Sequence, residues 1–441
     1  MSKITEIEMK HQNLTDAIVY SSAPTLNESV YQLRIKSLLQ LASSQGYTHL
    51  IIYGDREHYS NIHFLTGYDP RFEEALLILS LEQEPTLIVG NEGLDYSTII
   101  PFNLQKVLFQ SFSLVGQPRG KSKSLREIYQ RAGIQKNSHI GIIGWKYFIP
   151  IECTNPSQTF EIPYYIVQEL QNLVNCENLK NASDLMIHPD YGIRISLDVK
   201  ELIFHEIAGT KASRKVLQTL QNLQIGESEI DASQHLAIDG DPLSVHPNIN
   251  FGLENVLPGL KSPTYQKKLE LGEIITVGMG YRRALVARTG LYVRKKEEIP
   301  PAMEGIVENF YTPYFKALCN WYEALHIGAL GDEVFQAVKK SIGDFKAFKR
   351  MLLEWAAAEM ARNPSISIET LIGIPYNPYE PKPYERWTLK GIFDLENELK
   401  VADELWDFFG GPGTYYDLLD CFEIAGIELR PEIDKFFLNF K

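Results

Sequence analysis

Cysteine is scarce in this chain of 441 residues, and the four present, Cys153, Cys176, Cys319 and Cys421, stand far apart with no CxxC or Cys/His pair. Neither a disulfide framework nor a zinc centre is expected, and a reducing compartment fits. Positive charge is also short: 43 Lys and Arg against 56 Asp and Glu leave a net charge of -13. A surface built as a whole for nonspecific phosphate binding is thereby disfavoured, because such binding draws on clustered Lys and Arg that release counterions. Local basic patches stay open. No stretch approaches the roughly 18 apolar residues that a membrane helix needs. The start, MSKITEIEMKHQ, is charged and lacks the apolar run of a signal peptide. A cytoplasmic protein with no membrane partner is the expectation. Internal repeats and low-complexity tracts are missing as well.

What is present is an ordinary globular composition, 44% hydrophobic and 22% charged, in a chain long enough for at least two compact units. Apolar residues recur at helical spacing from Tyr31 to Gln45, followed by the β-branched run YTHLIIY at Tyr47 to Tyr53. Further strands are expected at Ala75 to Leu81, Pro85 to Val89 and His139 to Ile143, each bounded by turn residues. This alternation predicts an α/β domain over residues 1–190. Val199 to Leu223 reads as one long amphipathic helix that opens a second domain. Within that domain Glu273 to Val277 and Ala284 to Val293 look like strands, and Val307 to Ala324 looks helical. Beyond about Ala337 the texture changes: Phe345 to Arg362 reads as a helix, and Thr370 to Pro375 as a short strand leading into a Pro/Tyr-rich loop.

The segment GDREHYSNIHFLTGYDPRFEEALLIL, Gly54 to Leu79, resembles the N-terminal domain of the creatinase, prolidase and aminopeptidase P family. The Lys200-Glu201 start of the long helix, Asp239 to Gly252 (DGDPLSVHPNINFG), Pro258 to Pro263 and Leu271 to Gly290 resemble the first half of that family's pita-bread domain. The resemblance covers about residues 20–335. It implies, for metal-dependent members, two metal ions held by carboxylates and a histidine around a bridging hydroxide that attacks a peptide carbonyl. The two family aspartates precede an Arg-Thr pair. Here that pair is Arg288-Thr289, the position just upstream is Leu285, the earlier one falls near Thr276, and the family histidine falls near Gly259. Neither Thr276 nor Leu285 can bind a metal as aspartate would, so no metal ligand and no cofactor is expected to be retained here. Creatinase itself needs no metal and uses a histidine base. His246 is the candidate base, against a hydrogen-bonded loop or core histidine. Arg71, Arg283 and Arg288 are candidates for binding an anionic substrate group, since a guanidinium fork matches a carboxylate. For Arg71 a salt bridge to Glu73 or Glu74 is the alternative, and the other two could pair with neighbouring acids.

Residues Ile342 to Phe440 have another character. IGDFKAFKRMLLEW, IPYNPYEPKPYERWTLKG and DLENELKVADELWDFFGGPGTYYDLLDCFEIAGIELRPEID are similar to the C-terminal part of type II restriction endonucleases of the TdeIII kind. Such enzymes cut DNA with Mg2+ held by an acidic pair beside the lysine of a Glu-x-Lys motif. The place where the resemblance puts that motif reads GDEVFQAVKKSIGD and has none, while Glu380-Pro381-Lys382 spells it in a Pro-rich loop unsuited to a central strand. Lys382, Tyr384 and Arg386 are candidates for DNA contact, cation and aromatic together suiting a nucleic-acid backbone, against a solvated loop packed by Trp387. Gly410-Gly411-Pro412-Gly413 lacks the Lys-Ser/Thr of a phosphate loop and reads as a helix stop, with Thr414 capping the next helix.

The expectation is therefore an α/β and α+β chain in three parts: a creatinase-like N-terminal α/β domain (1–190), a partial pita-bread domain (195–337) and a mainly helical restriction-endonuclease-like segment (342–441). Its function reads as a creatinase or Xaa-Pro peptidase relative without metal ligands, fused to a nuclease segment and without full hydrolase activity. The alternative is a Mg-dependent type II deoxyribonuclease or a DNA-binding remnant of one. A homodimer and DNA are the partners left open.

Overall fold

A computed structural model describes residues 23–342 apart from 257, 259, 260, 327 and 328. They fall into two compact units, Thr25–Leu197 and the chain from Asp198 onward.

The first unit is a six-stranded sheet between two helical layers. In chain order it runs α1 (Glu28–Ser44), β1 (His49–Gly54), α2 (Ser60–Thr66), β2 (Ala75–Ser80), β3 (Thr86–Val89), α3 (Asn91–Tyr96), β4 (Gln105–Leu108), α4 (Leu125–Arg131), β5 (Ile140–Ile143), α5 (Tyr164–Gln171), β6 (Leu179–Asn181) and α6 (Asp184–Ile187). The strand order is β4-β3-β2-β1-β5-β6, with β1 antiparallel to β2 and parallel to β5. All six residues of β1 are buried, the state expected of a central strand covered on both faces. Alternation divides them. Ile51 and Tyr53 enter the core under α4 and α5 with Leu125, Ile128, Ile166 and Leu170. Leu50 and Ile52 enter the core under α1 and α2 with Leu38, Ile62 and Leu65. Each such side chain contributes roughly 1.5–3 kcal/mol through its burial. Ser124 starts α4 in a capping box with Glu127.

The second unit runs α7 (Val199–Asn222), α8 (Glu229–Ser233), β7 (Leu243–Phe251), α9 (Leu253–Val256), β8 (Ile274–Tyr281), β9 (Ala284–Leu291), α10 (Thr312–Ala324) and α11 (Gly331–Ile342). Asp198 caps α7 by accepting from the Glu201 N–H at 2.9 Å. Ala208, Ala212 and Val216, four residues apart, form the stripe that α7 buries against Ile249, Phe251, Ile275, Val277 and Met279 of the antiparallel sheet β7-β8-β9. A wide π turn, Val307–Tyr311, leads into α10, whose first turn takes Pro313 because the missing N–H has no partner to lose there. α11 packs on α10.

The described chain is thus mixed α/β, as the residue pattern implies. No helix among the described residues is long and apolar enough to cross a membrane. The helix expected at Phe345 to Arg362, the strand at Thr370 to Pro375 and the Thr414 cap lie outside the described residues.

Candidate functional site

Successive residues of a strand point to opposite faces of its sheet. Since Ile249, Phe251, Ile275 and Val277 face α7, Asn248, Asn250 and Thr276 face the other way. Register aligns Asn250 with Thr276 and Thr276 with Thr289, and Asn248 with Gly278. The Thr276 and Thr289 hydroxyls are hydrogen-bonded at 2.7 Å. Asn250 is 1% exposed and Asn248 is 6% exposed, whereas Thr289 at the end of the row is open to solvent. The row therefore runs from a buried amide to an exposed hydroxyl. In the next row Gly278 packs closely on its register partner Ala287, where an added Cβ would come within 3.3 Å of the Ala287 Cβ. The buried Asn250 Nδ2 and Asn248 Oδ1 make no hydrogen bond.

Acids elsewhere in this unit have partners of their own. Asp239 and Asp241, the two acids of the DGDPLSVHPNINFG segment, both bind Lys211 of α7, Asp239 at 2.9 Å. Glu229 is wholly buried and accepts from the Phe251 N–H at 2.8 Å, Asn255 Nδ2 at 3.0 Å, and the Thr264 N–H and hydroxyl at 2.9 Å each. Among the described residues no three His, Cys, Asp or Glu side chains stand close enough to hold a metal ion. Of the residues at or near the positions that the family resemblance sets against aspartates, Thr276 has its hydroxyl bonded to the Thr289 hydroxyl, and Leu285 is 64% exposed and has no donor atom.

The candidate residues do not gather at one point. His246 lies on β7 within the second of its two register shifts, the one between Val245 and Asn248, and its side chain is exposed; the irregularity includes Pro247, which has no N–H for the ladder. Arg283 sits in the tight turn between β8 and β9 with φ +82°. Its Nε donates to Glu201 at 3.0 Å, its guanidinium lies 4.7 Å from the centre of the Phe204 ring, and its carbonyl accepts from the His205 ring at 2.8 Å. Arg288 is exposed on β9 and donates to the Ala287 carbonyl at 2.8 Å. Arg71 belongs to the first unit, with φ +59°. Its neighbour is Asp69, 4.0 Å away, not Glu73 or Glu74, since Glu73 accepts from the Gly93 N–H and Glu74 from the Tyr53 hydroxyl. Lys382, Tyr384 and Arg386 lie outside the described residues. The sequence reading passed over Asn248, Asn250 and Thr289. The period-two alternation Asn248-Ile249-Asn250-Phe251 was the available signal.

Solved structures share this architecture. The prolidase from Pyrococcus horikoshii matches with a TM-score of 0.52 at 17% identity, covering 71% of this chain and 78% of that one. The fold is that of the prolidases. The Xaa-Pro dipeptidase from Bacillus anthracis matches with a TM-score of 0.52 at 13% identity over 71% of this chain and 77% of that one. The prolidase from Thermococcus sibiricus matches with a TM-score of 0.53 at 16% identity over 72% and 78%. Residues 334–426 match a different family, described as "Type II restriction endonuclease, HinfI". That match begins inside α11, the last described helix. No curated protein sequence matches the chain.

Proposed function

We propose that this chain is a creatinase or Xaa-Pro-peptidase relative that has lost metal-dependent hydrolysis, joined by fusion to a restriction-endonuclease segment. One observation supports the reading: near the places where the family resemblance sets the two aspartates stand Thr276, bonded to Thr289, and Leu285, exposed to solvent. Metal-dependent members rely on carboxylates there because hard divalent ions need anionic oxygen ligands to bind and to activate water. A threonine hydroxyl is neutral and a leucine offers no lone pair, so a bridging hydroxide has no support. The three-part division at 1–190, 195–337 and 342–441 belongs to the same proposal, as does a location in the cytoplasm. Full-length protein with Mn2+ and an Xaa-Pro dipeptide should release no free proline. Turnover that depends on Mn2+ would overturn the reading.

The match of residues 334–426 to HinfI favours a second reading, a type II deoxyribonuclease or a DNA-binding remnant, as a homodimer on DNA with Mg2+ as cofactor. In that reading Lys382, Tyr384 and Arg386 contact the nucleic acid. Discrete plasmid fragments formed only with Mg2+ would establish it, and an intact plasmid with no retardation on a gel would remove it.

A further inference from the structure

β9 is the last strand of its sheet, and the backbone of an edge strand offers its outward N–H and C=O groups to any strand that can pair with them. Register decides which groups those are. Tyr292, just past the end of β9, bonds to Glu273 and Gly272 on the β8 side. In an antiparallel ladder every second residue does the same, and β8 pairs β9 without a shift, so Gly290, Arg288, Val286 and Ala284 bond to β8 as well. Leu285, Ala287 and Thr289 therefore turn three N–H and three C=O groups away from the sheet. All three residues are exposed. Among the described residues the one partner these groups have is the Arg288 side chain, which donates to the Ala287 carbonyl at 2.8 Å. At Leu291 the open row stops, because the Tyr311 hydroxyl takes its N–H.

We propose that β9 pairs antiparallel with β9 of a second copy of this chain, about a two-fold axis at Ala287, so that two three-stranded sheets join into one. With the axis there, Ala287 exchanges two hydrogen bonds with Ala287 of the partner subunit, and Leu285 and Thr289 exchange two each with Thr289 of the partner subunit and Leu285 of the partner subunit. Every outward group is used. Ala287 brings only a methyl to the axis, and Arg288 stands across from Val286 of the partner subunit instead of another arginine. The neighbouring registers fit less well. An axis at Val286 calls on Arg283, whose φ of +82° takes it out of the strand. An axis at Arg288 sets like charges face to face and calls on the Leu291 N–H that Tyr311 already holds. A second copy suits this edge because a two-fold axis lets one short row of groups satisfy itself. The pairing does not depend on whether either part of the chain retains an activity.

The test is sedimentation equilibrium of the full chain. The apparent mass should rise from one chain toward two between roughly 1 and 100 µM, the range expected of a small interface held mainly by backbone hydrogen bonds. Ala287→Pro removes the N–H at the axis and none from the β8 ladder, so the melting temperature should change little. Pairing should nevertheless weaken roughly tenfold or more, because both bonds at the axis are lost. Ala287→Lys keeps the N–H but sets like charges across the axis; it should weaken pairing too, and it decides the matter if Ala287→Pro does not fold. Arg288→Ala frees the Ala287 carbonyl and should tighten the pair. A single chain at every concentration, the result expected if residues 343–441 occupy this edge, would overturn the proposal. A pair that persists unchanged in both Ala287 variants, as one formed through the endonuclease-like segment would, overturns it equally.

Discussion

Arg283 and Glu201 tie the β8-β9 turn to the first turn of α7: the guanidinium donates at 3.0 Å to a carboxylate whose residue is 6% exposed. A buried charge left without its partner is expensive. Arg283→Ala should therefore cost about 2–3 kcal/mol in urea unfolding, allowing for the part of the arginine still wetted. Arg283 also holds φ +82°, which a Cβ makes costly and glycine does not. Arg283→Gly should lose less stability than Arg283→Ala. Equal losses would show that the turn carries no strain, and no loss in either would show that the pair holds nothing together.

Glu229 gathers four donors from β7, α9 and the loop at Thr264 into one buried carboxylate. Glu229→Gln keeps the shape but turns one acceptor into a donor that faces other donors. A loss of about 2–3 kcal/mol is expected, read from the urea midpoint at constant slope. A variant as stable as the parent would contradict this account of how the end of the sheet is held.

Two carboxyls should make stability depend on pH. Burial pushes the Glu206 carboxyl up, against a smaller downward pull from the Thr210 hydroxyl. Burial likewise raises Glu74, countered by the Tyr53 and Tyr165 hydroxyls and assisted by Asp55. Between the ordinary glutamate value and the raised one, the folded chain binds more protons than the unfolded chain. Stability must therefore fall as pH rises through that window and be fully kept below it. Glu206→Gln removes one such group, so its stability relative to the parent should grow from acid toward neutral pH. A constant difference across the range would contradict the burial of Glu206.

The capping box at the start of α8 is local and separable. Ser228 Oγ accepts from the Asp231 N–H at 3.1 Å, while the Asp231 carboxylate accepts from the Ser228 N–H at 3.3 Å and its hydroxyl at 2.7 Å. Ser228→Ala should cost about 1 kcal/mol, measured by thermal unfolding, and restoring the cap with Thr should recover most of it. Failure of Thr to rescue would place the role of Ser228 outside the cap.

Long buried runs were easy to read from sequence. The apolar stretch at Tyr47 to Tyr53 and the helix from Val199 announce themselves by period, and the structure places β1 and α7 within those limits or a residue or so beyond them. β4 and β6, with four and three residues, are too short to show a period. β7 was hidden for a different reason: Pro247, Asn248 and Asn250 disfavour strands, yet the chain extends there because Ile249 and Phe251 have α7 to pack against. Of the candidate site, only the strands β8 and β9 were legible. Thr276 and Leu285 could be placed against the Arg288-Thr289 pair, but the two unpartnered asparagines become visible only once register sets them beside Thr276 and Gly278. The strained turn at Arg283 and its tie to Glu201, separated widely in sequence, also needed the fold.

On the proposed reading the prolidase-like part does not assemble a metal centre. Metal content of the full chain, measured by mass spectrometry after saturation with Mn2+ and removal of free ion, tests it most directly. The account predicts far less than one manganese per chain, unchanged by Thr276→Val. Two manganese ions per chain, lost when the carboxylates near the β8-β9 hairpin are replaced, would contradict it.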